Sequence, residues 1–200
     1  MPNYLKLLTE DYINQHLTDN LSAAKIMYNL LAYPEKFDLS IEAEEKASSH
    51  SILPDTSPTL EMVRNEENTD RLLRMFRQAS KISVRDALID KLLTREDEVL
   101  PEIERMMLKA FKDETIEHSL FFILKCKTNC SDWIVENLKN VRDPYAQSTL
   151  CLALGFLADP DVIPFLMEQV NRFETEYPKE SFDQGPLFAL IRIQERFAGK

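Results

Sequence analysis

Val99-Leu100-Pro101-Glu102-Ile103-Glu104-Arg105-Met106-Met107-Leu108-Lys109-Ala110 carries an apolar skeleton that returns twice further along the chain. Ile103, Met107 and Ala110 are matched by Ile134, Leu138 and Val141, then by Leu166, Val170 and Phe173. Each set is spaced four then three residues, and successive sets lie 31 and 32 positions apart. That spacing marks the apolar stripe of a helix. Pro101 corresponds to Pro164, within the parallel phrases Val99-Leu100-Pro101 and Val162-Ile163-Pro164. A second series alternates with the first: Val84, Leu88 and Leu92, then Ile116, Leu120 and Leu124, then Ala146, Leu150 and Leu154, with Leu190 following. A repeat of this length cannot bury its own apolar face and must stack on its neighbours. The expected fold is all-α, an α-α superhelix of helix pairs with helices added at the N-terminus.

Composition agrees with that class. Only three of the 200 residues are glycine, and strong helix formers dominate, so helix propensity is high almost throughout. No stretch alternates apolar and polar residues with β-branched enrichment, which excludes an extensive sheet. The net charge of −10 sets a long-range field that repels phosphate backbones, so nucleic acid is disfavoured as a partner. The opening Met1-Pro2-Asn3-Tyr4-Leu5-Lys6 lacks a basic stretch followed by an apolar run, so no signal peptide is expected, and no apolar run reaches the length of a membrane span. Three cysteines do not suggest a disulfide framework, so the expected location is cytoplasmic, with reduced thiols.

Punctuation gives the organisation. Helices are expected over 4–17 and 21–32, the second capped by Asp19 or Asn20 and ended by Pro34. From 35 to 70, ten carboxylates face three cations, a net of −7. Residues 48–58 are polar, proline-bearing and aperiodic, and read as a linker. Ser57 with Pro58 is the expected restart, and Ser83 with Asp86 resembles a capping box. Further helices are expected over 68–80, 83–93, 98–111, 115–125, 131–141, 144–157, 162–173 and 186–197. The division is residues 1–57, N-terminal helices and acidic linker acting as a cap on the first end of the array, and 58–200, the repeat region, in one continuous structural unit.

Residues 143–166 carry Ala153-Leu154-Gly155 near the end of one helix, the turn Asp159-Pro160, and Pro164 early in the next helix. This resembles a HEAT repeat of the short bacterial type. The resemblance is clearest over 143–173 and weaker over 84–141, where Gly155 has no counterpart and the Asp-Pro turn is absent; it does not reach 1–65. It implies an α-solenoid and, commonly, protein binding. HEAT-like proteins also include bilin lyase subunits and DNA-alkylation repair glycosylases, so fold alone leaves activity open.

Three constellations are candidate sites. Arg71, Arg74, Arg77, Lys81 and Arg85 form a basic stripe at spacings of three and four, suited to an acidic peptide, a phosphorylated group or a nucleic-acid backbone. The alternative is a solvated face, or one neutralised by the acidic segment 35–70. The resemblance makes the second helices the lining of a groove, which selects Arg105, Lys109, Trp133, Glu136, Asn140, Glu168 and Arg172. Mixed signs there argue for a polypeptide partner, with an ordinary polar surface as the alternative. His118, Cys126, Cys130 and Cys151 are zinc-ligand types at poor spacing, and Cys151 sits in an apolar helix, so no metal is assigned. His50 beside Glu42, Glu44 and Glu45 reads as a solvated loop. No phosphate loop, nucleophile elbow or paired histidine motif is present, so neither catalysis nor a cofactor is expected.

The expected function is a non-enzymatic interaction or adaptor module that binds a protein or peptide through the second-helix face, away from membranes. Three other classes stay open: an auxiliary lyase or chaperone-like subunit for cofactor attachment, an acidic immunity or inhibitor protein, and a DNA-repair HEAT-like glycosylase.

Overall fold

Burial follows the repeated apolar sets: Ile103, Met107, Ile134, Leu166 and Val170 are fully buried, as are Leu88, Leu92, Ile116, Leu120, Leu150 and Leu154 of the alternating series. The computed structural model describes residues 4–18, 20–37, 57–110 and 112–198. Among these the chain is all-helical, with eleven α-helices, short 3-10 turns and no strand. None of these helices is long and apolar enough to cross a membrane. The expected cap Asp19, the linker 48–56, His50 and most of the acidic segment lie outside the described residues.

Local hydrogen bonding moves several helix starts from their expected places. The first segment divides into a 3-10 turn, Tyr4–Leu7, and α1, Glu10–His16, because the Thr9 side chain accepts the Tyr12 amide at 3.1 Å. Ser22 caps α2, Ala23–Ala32. Thr59 rather than Ser57 opens α3, Leu60–Asn65, while the Ser57 hydroxyl meets that of Ser80 at 2.6 Å. Asn68 caps α4, Thr69–Phe76. α5, Ile82–Leu93, starts before Ser83, so the expected capping box does not form. α6, Glu96–Lys109, begins two residues early, which places Pro101 in its second turn. Then come α7, Asp113–Lys125; α8, Ser131–Asn137, prolonged by a 3-10 turn; and α9, Pro144–Leu157. Asp143, directly before Pro144, caps α9, accepting the Tyr145 and Ala146 amides at 2.8 and 3.1 Å. α10, Ile163–Glu176, and α11, Gln184–Phe197, complete the set.

The chain packs as two compact units, one from Met1–Pro34 with Thr128–Lys200 and the other from Glu35–Lys127. In the discontinuous unit, α11 packs on α9, α10, α2 and α1. α9 is buried from Ala146 to Gly155, consistent with a helix that is apolar on nearly every side. Gly155 has a specific task here. A Cβ at this position would stand 2.7 Å from the Cα of Ala189, so only glycine lets α9 and α11 approach this closely. At the other end of the crossing, a Cβ on Gly185 would collide with the backbone and hydroxyl of Ser148.

The N-terminal helices dock on this same unit, against α9 and α11. Their expected place was the start of the repeat region. The anchors explain the difference. The Tyr28 ring stacks on Phe188 at 5.0 Å, and the hydroxyls of Tyr28 and Tyr33 donate to Glu195 at 2.6 and 2.9 Å. The side-chain amide of Gln184 donates to the His16 carbonyl at 3.0 Å, and His16 Nδ1 meets Glu174 at 2.6 Å.

In the continuous unit α5 is central, packing on α3, α4, α6 and α7. Lys91 donates to the carbonyls of Val63 and Arg64 at 3.2 and 3.0 Å, closing the C-terminal end of α3. His118 Nδ1 donates to the Phe76 carbonyl at 2.9 Å and ties α7 to the end of α4.

Candidate functional site

In the continuous unit, α4 and α6 end beside the start of α7, and these three helix termini surround a cleft of about 550 Å³. α4 brings Arg74, with Arg77 and Gln78 just beyond its last turn. α6 brings Arg105, Met106 and Lys109. Ala110, Lys112 and Thr115 line the joint into α7. Five cations therefore face one hollow, and no carboxylate lines it among the described residues. Arg105 pairs with Glu102 one turn away on its own helix. Arg74, Arg77, Lys109 and Lys112 are exposed and form no ion pair among the described residues. Met106 and Ala110 give the cleft an apolar component.

The basic stripe does not survive as a track. Arg71 turns to Glu66 at 3.5 Å, and a backbone amide bond from Asn68, with burial opposing and Arg71 assisting, holds the Glu66 carboxyl below its ordinary value. Lys81 lies beyond the end of α4 and does not line the cleft. Arg85 is buried: it donates to Asp86 at 2.8 Å and lies over the Phe121 ring. Only Arg74 and Arg77 of the five reach the hollow.

The expected groove set divides as well. Arg105 and Lys109 line the cationic cleft. Glu136 lines a second hollow of about 360 Å³ in the other unit, where Asp132, Asp159 and Asp161 surround apolar Val135 and Phe165. Asn140 and Glu168 are exposed, and Trp133 is half-buried, with its carbonyl accepting from Asn137 at 3.0 Å. Arg172, expected to face outward, donates instead to the Gln147 side chain at 2.6 Å and packs over Phe173, because the buried Gln147 oxygen needs a donor.

Of the zinc-type residues, His118, Cys130 and Cys151 are buried in the core and Cys126 is half-buried. His118 is buried against Phe76, and burial, reinforced by the positive charge of Arg85, lowers its pKa despite the bond to the Phe76 carbonyl. Burial pushes the Cys151 thiol up to about 12. Cys126, Cys130 and Cys151 form no disulfide, and among the described residues no group of three or more His, Cys, Asp or Glu side chains is placed to hold a metal.

Comparison with family models, curated proteins and solved structures gives no match. The cleft therefore rests on its own geometry. Sequence reading found four of its five cations but assigned them to two different surfaces. Lys112 was missed, although it lies only three residues beyond Lys109. What joins the five is the meeting of the end of α4 with the end of α6, some thirty residues apart in the chain.

Proposed function

We propose that this chain is a non-enzymatic interaction module that binds an anionic segment of a partner polypeptide in the cationic cleft. The observation that carries the reading is the convergence of five cations on one hollow, with no lining carboxylate among the described residues, in a chain of net charge −10. A lysine or arginine near a helix C-terminus is common in itself, contributing about 0.3–1 kcal/mol against the helix dipole. Several converging from three elements leave their charge available to a ligand, and such a focused field speeds and orients encounter with an acidic partner.

The architecture we infer is a HEAT-like stack of helix pairs. α5 packs on α7 in one unit and α9 on α11 in the other, the contact that successive first helices make in such stacks. In that reading α6 is a second helix, so Arg105 and Lys109 keep the place the resemblance gives them. Of the other classes, nucleic-acid binding fits less well. An extended polyanion needs a continuous row of cations, and the diversion of Arg71 and Arg85 breaks it.

Equilibrium binding of a fluorescent oligo-glutamate peptide tests the proposal. Affinity that falls with salt, and that drops by about tenfold in the Arg74→Glu/Lys109→Glu variant, supports it. Glu136→Lys, in the other unit, should leave the affinity unchanged. If neither oligo-glutamate nor any other anionic peptide binds better than an uncharged peptide of equal length, the proposal fails.

A further inference from the structure

We infer that the group the cleft is built for is a phosphoryl dianion, carried as a phosphorylated serine or threonine on the partner polypeptide. This rests on the polypeptide-binding reading above and specifies its ligand. The distribution of cations is the first argument. A run of carboxylates is matched best by cations strung along a face, and the stripe that would have provided such a face is dispersed. Arg71 is paired with Glu66, and Arg85 is buried against Phe121 and Asp86. The cations that remain surround a single hollow. A point of concentrated charge matches that arrangement. A phosphoryl group carries roughly −1.5 to −2 charge and three strong acceptor oxygens, against one charge for a carboxylate.

The kind of cation is the second argument. Of the four lining cations that form no ion pair among the described residues, Arg74 and Arg77 are arginines, whose planar forks bind tetrahedral oxyanions through paired N–H groups. Arg74 and Arg77 are one helical turn apart at the end of α4, so their guanidinium groups approach from one side, with Lys109 supplied by α6 and Arg105 held beside it by Glu102. Asp113 and Glu114, in the first turn of α7, do not line the cleft and so do not occupy the anion's place. The third argument is the mixed lining. Met106 and Ala110 offer apolar contact to the residue that carries the phosphate, and the volume of about 550 Å³ accommodates a modified side chain with its flanking backbone.

The test uses the full chain and three matched peptide mixtures of randomised flanks, centred on phosphoserine, glutamate or serine, read by calorimetry. Oligo-glutamate, inorganic phosphate and a single-stranded oligonucleotide are separate arms. The expected result is that the phosphoserine mixture binds about tenfold or more tighter than the glutamate mixture. Arg77→Lys, which keeps charge but removes the fork, should erase that preference while leaving oligo-glutamate binding in place. Arg74→Ala/Arg77→Ala should erase that preference and also weaken oligo-glutamate binding by several-fold, and Arg71→Ala should change neither. Circular dichroism confirms that each variant is folded; if the double variant is not, Arg77→Lys decides. Equal affinity for phosphoserine and glutamate overturns this inference and leaves the proposed function standing. Failure of oligo-glutamate and of every mixture overturns both. Inorganic phosphate competing at the concentration of the phosphoserine mixture, or tighter binding of the oligonucleotide, overturns the assignment to a phosphorylated polypeptide.

Discussion

The guanidinium of Arg85 lies 3.9 Å from the centre of the Phe121 ring, held there by two bonds to Asp86 at 2.8 and 3.0 Å. A residue that falls in the basic stripe by spacing is thus part of the joint between α5 and α7. Arg85→Ala should destabilise the protein by about 1–3 kcal/mol, through lost stacking and lost packing of the side-chain stem. Arg85→Lys should recover only part, since an ammonium cannot stack in the same way. Oligo-glutamate affinity of the folded variants should equal that of the unmodified protein. Denaturant titration measures the first effect and peptide binding the second; weakened binding by folded Arg85→Lys would return this residue to the ligand surface.

His118 makes stability depend on pH. Burial is the largest influence on it and favours the neutral ring; Arg85 adds to that effect, while the Phe76 carbonyl, Glu114 and Asp86 oppose it. With the folded pKa below the ordinary 6.5, the unfolded chain takes up the proton first as the solution is acidified. The contribution is complete above pH 6.5 and is lost as pH falls from there through the folded pKa. His118→Gln should be less stable at about pH 7.5, having lost the ring packed on Phe76, and the gap should narrow towards about pH 5.5. A gap that stays constant across that range would show that His118 titrates alike in both states.

Gly155 sets two rules against each other. In an exposed helix, Gly→Ala is favourable by about 1 kcal/mol. Here the added methyl meets the Cα of Ala189 at 2.7 Å and its carbonyl oxygen at 3.0 Å, both backbone atoms that cannot rotate away. Gly155→Ala should therefore lower stability by about 1–3 kcal/mol, as overpacking does. Ala189→Gly should not rescue it, because the obstruction is backbone. A stabilised Gly155→Ala would mean that α9 and α11 do not pack as closely as described.

Glu195 receives both tyrosine hydroxyls from the N-terminal region and also pairs with Arg192 at 3.0 Å. Burial alone would raise its pKa, but the bonds from Tyr28, Arg192 and Tyr33 prevail and hold the carboxyl below 4.5. This support is present above pH 4.5 and is lost as pH falls through the folded value. Glu195→Ala should cost about 1–3 kcal/mol by leaving the Tyr28 hydroxyl without its acceptor. It should also expose α1 and α2 to limited proteolysis ahead of the rest of the chain. Unchanged cleavage at this end would show that the stacking of Tyr28 on Phe188 suffices.

What the sequence made legible was set by neighbours along the chain. Ile103, Met107, Leu150 and Val170 announce burial because a helix brings positions three and four apart onto one face. Asp143 announces a helix start because its acceptor, the first-turn amides and Pro144 are contiguous. Ser57 and Thr59 show the limit: two hydroxyls stand within three residues, and the choice between them depends on Ser80, far along the chain. Arg172 and Arg85 read as outward cations, yet Gln147 and Phe121 draw them in. The cationic cleft was half legible for the same reason: its residues were noticed, but their meeting is a long-range event.

The bonds from Tyr28 and Tyr33 to Glu195 also impose an order on assembly. Their acceptor is made more than 160 residues after them, so α1 and α2 leave the ribosome long before α11 exists. The unit from Glu35 to Lys127 has no such gap, and all its helices are synthesised well before α11. On a growing chain the cation-bearing unit can close first, while the discontinuous unit waits for α11. Synthesis stopped before α11 would leave the cleft formed while α1 and α2 lack Gln184, Phe188 and Glu195 as anchors.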